Sequence, residues 1–74
     1  MEMDNLIRMA NQIGHFFDAM PDRPEALEQL AQHLRRFWER RMRERLLAFV
    51  DDEGGAGLHP MVLEALVLHR GLFG

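Results

Sequence analysis

The segment HLRRFWERRMRER, residues 33–45, decides how the rest of the chain is organised. It contains six of the nine basic residues and the only tryptophan, and it has no glycine or proline. Every basic residue is arginine, since the chain has no lysine. Against Glu39 and Glu44 the six arginines give a local charge of +4, while the remainder has three arginines against ten carboxylates, or −7. This uneven distribution indicates a local contact surface rather than general binding of polyanions.

The spacing of apolar residues indicates whether a single helix runs through this segment. With about 100° per residue, the apolar residues from Leu27 to Trp38 lie on one helix face. After Trp38 the apolar positions rotate steadily away from that face. The pattern predicts either one long helix that changes its packing partner or a bend or break near Trp38–Arg40, and we favour the bend or break.

The residues before and after this helix predict a first helix, a capped start for the second and a loop. Apolar residues at helical spacing predict a first helix over residues 4–20 that Pro21 ends, and Gly14 within it indicates close approach of another backbone. A second helix is predicted from about Arg23, with Asp22 and Glu25 as an acidic capping box. The glycine-rich residues 54–57 predict a flexible loop.

The last helix is predicted to start where His59 caps it and Pro60 takes its first position. Residues 61–68 leave almost no polar face, so this helix must be covered on more than one side, partly by another subunit. We therefore expect an all-α fold: a single helical domain over residues 1–74, built as a bundle of three to four short helices.

The side-chain inventory argues against chemistry by this chain. It contains no cysteine, serine, threonine or tyrosine, so most covalent nucleophiles are absent. No two of its four histidines are three or four residues apart, as a preformed helical metal site would require. We predict no catalytic residue, no metal site and no cofactor. The acidic start lacks a secretory signal and no segment is long enough to span a membrane, so an intracellular protein is expected.

Three interpretations remain open for the arginine-rich segment. Glu39 could pair with Arg35 and Arg43, and Arg40 with Glu44, on a solvated helix face. The arginines and tryptophan could instead bind nucleic acid. A protein interface is favoured, because arginine and tryptophan are enriched among interface hot spots. The amides of Asn11 and Gln12 are either plain surface groups or donors across an interface.

Three strings of sequence resemble one family. They are RMANQI at residues 8–13 followed by Phe16 and Phe17, HLRRFW at residues 33–38 with RMR at residues 41–43, and GLHP at residues 57–60. Together, and in this order, they resemble the delta subunit of bacterial NAD-dependent formate dehydrogenase over nearly the whole chain. That enzyme is a cytoplasmic molybdenum- or tungsten-dependent, iron–sulfur and flavin complex.

The resemblance implies a non-catalytic accessory subunit that supports assembly or stability while the large subunits carry the redox chemistry. It implies no cofactor on this chain, and it implies the large subunits as partners, foremost the molybdopterin and iron–sulfur subunit. The alternative is a stand-alone helical oligomer that acts as a regulator or binds nucleic acid. The family-motif positions, taken as interface residues, are Arg8, Met9, Asn11, Gln12, Phe16, Phe17, His33, Arg36, Phe37, Trp38, Arg41, Met42 and Arg43.

The expected docking uses Trp38 and Phe37 as anchors in a pocket of the large subunit. Arg36, Arg41 and Arg43 are expected to pair with its carboxylates. Family members commonly have proline at the position of Arg40, and proline there would break the helix. Because Arg40 permits a continuous helix, the sequence leaves open whether the helix breaks at this position.

Overall fold

Four α-helices follow one another in the computed structural model, which describes residues 2–73. They are α1 (Met3–Asp18), α2 (Arg23–Phe37), α3 (Arg40–Glu53) and α4 (Pro60–Leu68), and a 3₁₀ turn, Arg70–Leu72, follows α4. No strand occurs between residues 2 and 73. The predicted all-α fold is confirmed.

The predicted starts of α2 and α4 are confirmed by their capping hydrogen bonds. The backbone N–H of Glu25 donates to Asp22 Oδ1 at 3.2 Å, at the start of α2. At the start of α4, the N–H of Met61 donates to His59 Nδ1 at 3.0 Å. Each cap satisfies a first-turn N–H that has no partner within its own helix.

The break between α2 and α3 is also confirmed, although residue 40 is arginine. Trp38 (φ −90°, ψ 136°) and Glu39 (φ −63°, ψ 152°) are both extended, and the chain turns between the helices there. Arg43 Nη1 donates to the carbonyl oxygens of Arg35 at 2.8 Å and Trp38 at 2.7 Å. One guanidinium therefore holds the end of α2 against the start of α3.

This geometry corrects part of the predicted ion pairing. Within residues 2–73, Glu39 pairs with neither Arg35 nor Arg43, because the helix is interrupted between residues 37 and 40 and Arg43 is engaged by carbonyl groups. The pair predicted inside α3 does form, with Arg40 Nε 3.0 Å from Glu44 Oε2.

The hydrophobic core draws on all four helices and includes the tryptophan at the break. Trp38 is only 5% exposed and lies in the same buried cluster as the leucines of α2 and α3. α4 contributes four buried residues to it: Met61, Val62, Ala65 and Leu66. Val67 and Leu68 remain 67% and 60% exposed, so the chain covers most of α4 itself and leaves its last turn open.

Gly14 of α1 lies directly against the start of α4. A Cβ atom at this position would lie 2.7 Å from Val62 Cγ2 and 3.3 Å from His59 Cβ. The close approach expected at Gly14 is therefore made by side chains of α4 and its cap rather than by a second backbone. It sets the start of α4 against the C-terminal half of α1.

Among the described residues, no helix has both the length and the apolar character needed to cross a membrane.

Candidate protein interface

An aromatic surface runs across α1 and α2. Its two outer rings, Phe16 on α1 and Phe37 on α2, are 70% and 66% exposed. Phe17 and His33 lie between them, with ring centroids 5.1 Å apart for Phe16–Phe17, 5.9 Å for Phe17–His33 and 4.8 Å for His33–Phe37. We call these four residues the aromatic surface.

Helical spacing explains why these rings are on one face. His33 and Phe37 are four residues apart in α2, so their side chains are neighbours on the helix surface. In α1, Phe17 points into the core and Phe16, one residue earlier, stays outside. The buried Phe17 thus fixes the outer rings to the body of the fold.

Two shallow grooves share Phe17 and His33 as a common wall. The first, of about 210 Å³, is completed by Gln12, Ile13 and Phe16. The second, of about 220 Å³, is completed by Gln29, Gln32, Arg36 and Phe37. No carboxylate lines either groove, and Arg36 is the one arginine that does.

The structure brings six of the predicted interface residues to these grooves. They are Gln12, Phe16, Phe17, His33, Arg36 and Phe37. Sequence reasoning missed Ile13, Gln29 and Gln32 as lining residues. Helical spacing could have indicated two of them, because Gln29 precedes His33 by four residues and Ile13 precedes Phe17 by four. Using that spacing requires knowing that α1 and α2 meet at Phe17 and His33.

Asn11 has a role inside the chain. Its Nδ2 donates to the carbonyl oxygen of Gly57 at 2.9 Å, and its Oδ1 accepts from the N–H of His59 at 2.7 Å. Both hydrogen-bonding groups of the amide are used to hold the loop before α4. Two of the resembling strings, RMANQI and GLHP, are therefore in contact through Asn11.

The other predicted residues lie away from the grooves. Trp38 belongs to the core, Met42 packs against it, and Arg43 bridges the break between α2 and α3. Met9 is partly exposed on α1, and Arg8 donates to Asn5 Oδ1 at 2.9 Å. Arg41 is exposed on α3.

A larger and more open groove of about 630 Å³ lies along α1 beside the loop that Asn11 holds. Its lining residues are Asp4, Ile7, Arg8, Asn11, Gln12, His15 and His59. His59 is also close to Asp18, with Nε2 3.9 Å from Oδ2. Within residues 2–73, no three histidine, aspartate or glutamate side chains come together as a metal site would require.

The perturbed ionisable groups belong to ion pairs between elements, away from the aromatic surface. A hydrogen bond from Arg23 lowers the pKa of Glu64 and raises the pKa of Arg23, with Nη2 and Oε1 2.8 Å apart. Arg70 donates to both carboxylate oxygens of Asp51 at 2.8 and 2.7 Å, which lowers the pKa of Asp51. The pairs join α2 to α4 and α3 to the 3₁₀ turn.

The fold and this surface define a small all-α protein whose exposed rings are gathered across two helices. The family model described as NADH-dependent formate dehydrogenase delta subunit FdsD matches residues 5–66, and the chain belongs to this family. Comparison with curated proteins and with solved structures finds no match. All three resembling strings lie within the matched residues, and the family assignment made from them is confirmed.

Proposed function

We propose that the chain is a non-catalytic accessory subunit of a cytoplasmic NAD-dependent formate dehydrogenase and that it docks onto the large subunits. Family membership supports the association with formate dehydrogenase. In this proposal the large subunits oxidise formate and reduce NAD, and the small chain supports their assembly or stability.

The observation that carries the docking proposal is the exposure of Phe16 and Phe37. Two phenylalanines that are more than half exposed on adjoining helices form a patch that a partner could cover. Burying each ring completely would contribute roughly 1.5–3 kcal/mol before the costs of association are subtracted. Trp38 was expected to be one of the two anchors, but it is already buried in the chain's own core. The proposal therefore has Phe16 as the second anchor beside Phe37.

A second exposed apolar pair, Val67 and Leu68, lies on the last turn of α4. Both residues lie beyond residue 66, where the family match ends. The aromatic surface lies entirely inside the match. Leu68 therefore provides a control of similar exposure on another part of the chain.

Co-purification with tagged large subunits tests the proposal. Replacing both exposed rings (Phe16→Ser with Phe37→Ser) should abolish co-purification while thermal unfolding of the isolated chain stays close to wild type, because neither ring is part of the core. Leu68→Ser should co-purify like wild type. Undiminished co-purification of the double variant would contradict docking through the aromatic surface.

Nucleic-acid binding by a stand-alone oligomer is the second candidate, favoured by three exposed arginines. Arg36, Arg41 and Arg45 form no ion pair within residues 2–73. A salt-sensitive mobility shift with single-stranded oligonucleotides, together with no affinity for the dehydrogenase, would favour it.

A further inference from the structure

We infer that the aromatic surface receives a partner segment of defined chemistry: aliphatic side chains for the two grooves and a carboxylate for Arg36. This inference deepens the proposed docking and rests on it. It specifies what the large subunit must present at the contact.

The walls of the grooves favour aliphatic groups. The first groove is almost entirely apolar, lined by Ile13, Phe16, Phe17 and the His33 ring with Gln12. The second groove is mixed: the rings of Phe17, His33 and Phe37 form its apolar wall, and Gln29, Gln32 and Arg36 form its polar one. Aromatic faces also attract cations. An incoming lysine or arginine would nevertheless meet Arg36 and no lining carboxylate, so uncharged apolar side chains fit these walls better.

Charge complementarity identifies the polar part of the partner. Arg23, Arg40 and Arg70 pair with carboxylates, and Arg35 and Arg43 donate to carbonyl oxygens. Arg36 does neither within residues 2–73, although the chain as a whole carries an excess of acidic residues. The guanidinium of Arg36 is thus left to bind a carboxylate from outside, which its fork of donors can hold with two hydrogen bonds.

A second copy of the chain fits this surface poorly. In a two-fold dimer the same patch lies on both sides of the contact. Such a contact would bring the Arg36 side chains of both copies to a region whose lining contains no acidic group. A nucleic-acid strand fits poorly as well, because a single arginine lines the grooves whereas phosphate binding relies on several cations.

The charge contact is tested by titrating each purified variant into a dehydrogenase complex that lacks the small subunit. Arg36→Glu should weaken binding about tenfold or more, and Arg36→Gln should weaken it less, because a charge pair is lost or reversed. Arg45→Glu is the matched control: it changes the same charge at an exposed arginine outside the two grooves, and its affinity should stay within about twofold of wild type. Raising salt should weaken wild type more than Arg36→Gln.

The partner segment is identified by placing a photo-crosslinking amino acid at position 37. The expected product joins the chain to a large-subunit peptide that contains aliphatic residues and an aspartate or glutamate. A crosslink to a second copy, to nucleic acid or to a peptide without a carboxylate would overturn the inference.

The titration separates the inference from the proposed function. If wild type binds and both Arg36 variants bind equally well, the inference is wrong while docking stands. If wild type does not bind the complex at all, the proposed function fails and the inference fails with it.

Discussion

Trp38 and Phe37 are adjacent in the chain and have opposite environments. Phe37 ends α2 with its ring in solvent, whereas Trp38 follows in extended conformation and inserts its ring into the core. Sequence reasoning treated the two as a single anchoring pair, because both are large aromatic residues beside arginines. Leaving the helix at Trp38 changes the direction of its side chain, and this separates a core residue from a surface residue.

Alanine substitution should distinguish these roles. Trp38→Ala should cost about 3–5 kcal/mol of folding free energy, which equals the whole net stability of roughly 3–5 kcal/mol that a core of this size supplies. We expect this variant to be largely unfolded by circular dichroism. Phe37→Ala should change the unfolding free energy by less than about 1 kcal/mol. Equal losses in urea unfolding of the two variants would contradict this assignment.

At the scale of the helices, the α2–α3 break does not depend on proline. Glu39 has ψ 152°, the extended conformation that also precedes proline, and Arg40 is the first residue of α3. The N–H of a first helical residue has no partner within its helix, so proline is tolerated there. Arg43 and the buried Trp38 hold the turn without a proline.

Arg40→Pro should therefore be compatible with the fold. Fixing the backbone of the unfolded chain should stabilise by about 0.4–1 kcal/mol, against a few tenths of a kcal/mol for the lost Arg40–Glu44 pair. Arg45→Pro, in the interior of α3, should cost about 3 kcal/mol or more. Urea unfolding measures both. Destabilisation of Arg40→Pro to the level of Arg45→Pro would show that the first position is wrongly assigned.

Across the whole molecule, the features that depend on nearby residues could be predicted from the sequence. The caps at Asp22 and His59 and the rotation after Trp38 depend on neighbours a few positions away. The role of Asn11 could not be predicted, because its partners Gly57 and His59 are more than forty residues further along the chain. The aromatic surface could be predicted only in part, since the meeting of Phe17 with His33 depends on how α1 packs on α2.

The ion pair between Asp51 and Arg70 joins the last turn of the chain to α3, and it should make stability depend on pH. Its hydrogen bonds lower the pKa of Asp51 in the folded protein. The unfolded chain therefore binds protons more readily in acid, so this stabilisation is present above the ordinary carboxyl pKa of about 4 and is lost as the pH falls through the lower folded value. Asp51→Asn should be less stable than wild type in urea at pH 7, and the difference should shrink towards pH 3. Asp52→Asn, which alters a neighbouring exposed carboxylate, controls for the change in net charge. A difference between Asp51→Asn and wild type that stays the same at both pH values would show that the ionised pair does not stabilise the fold.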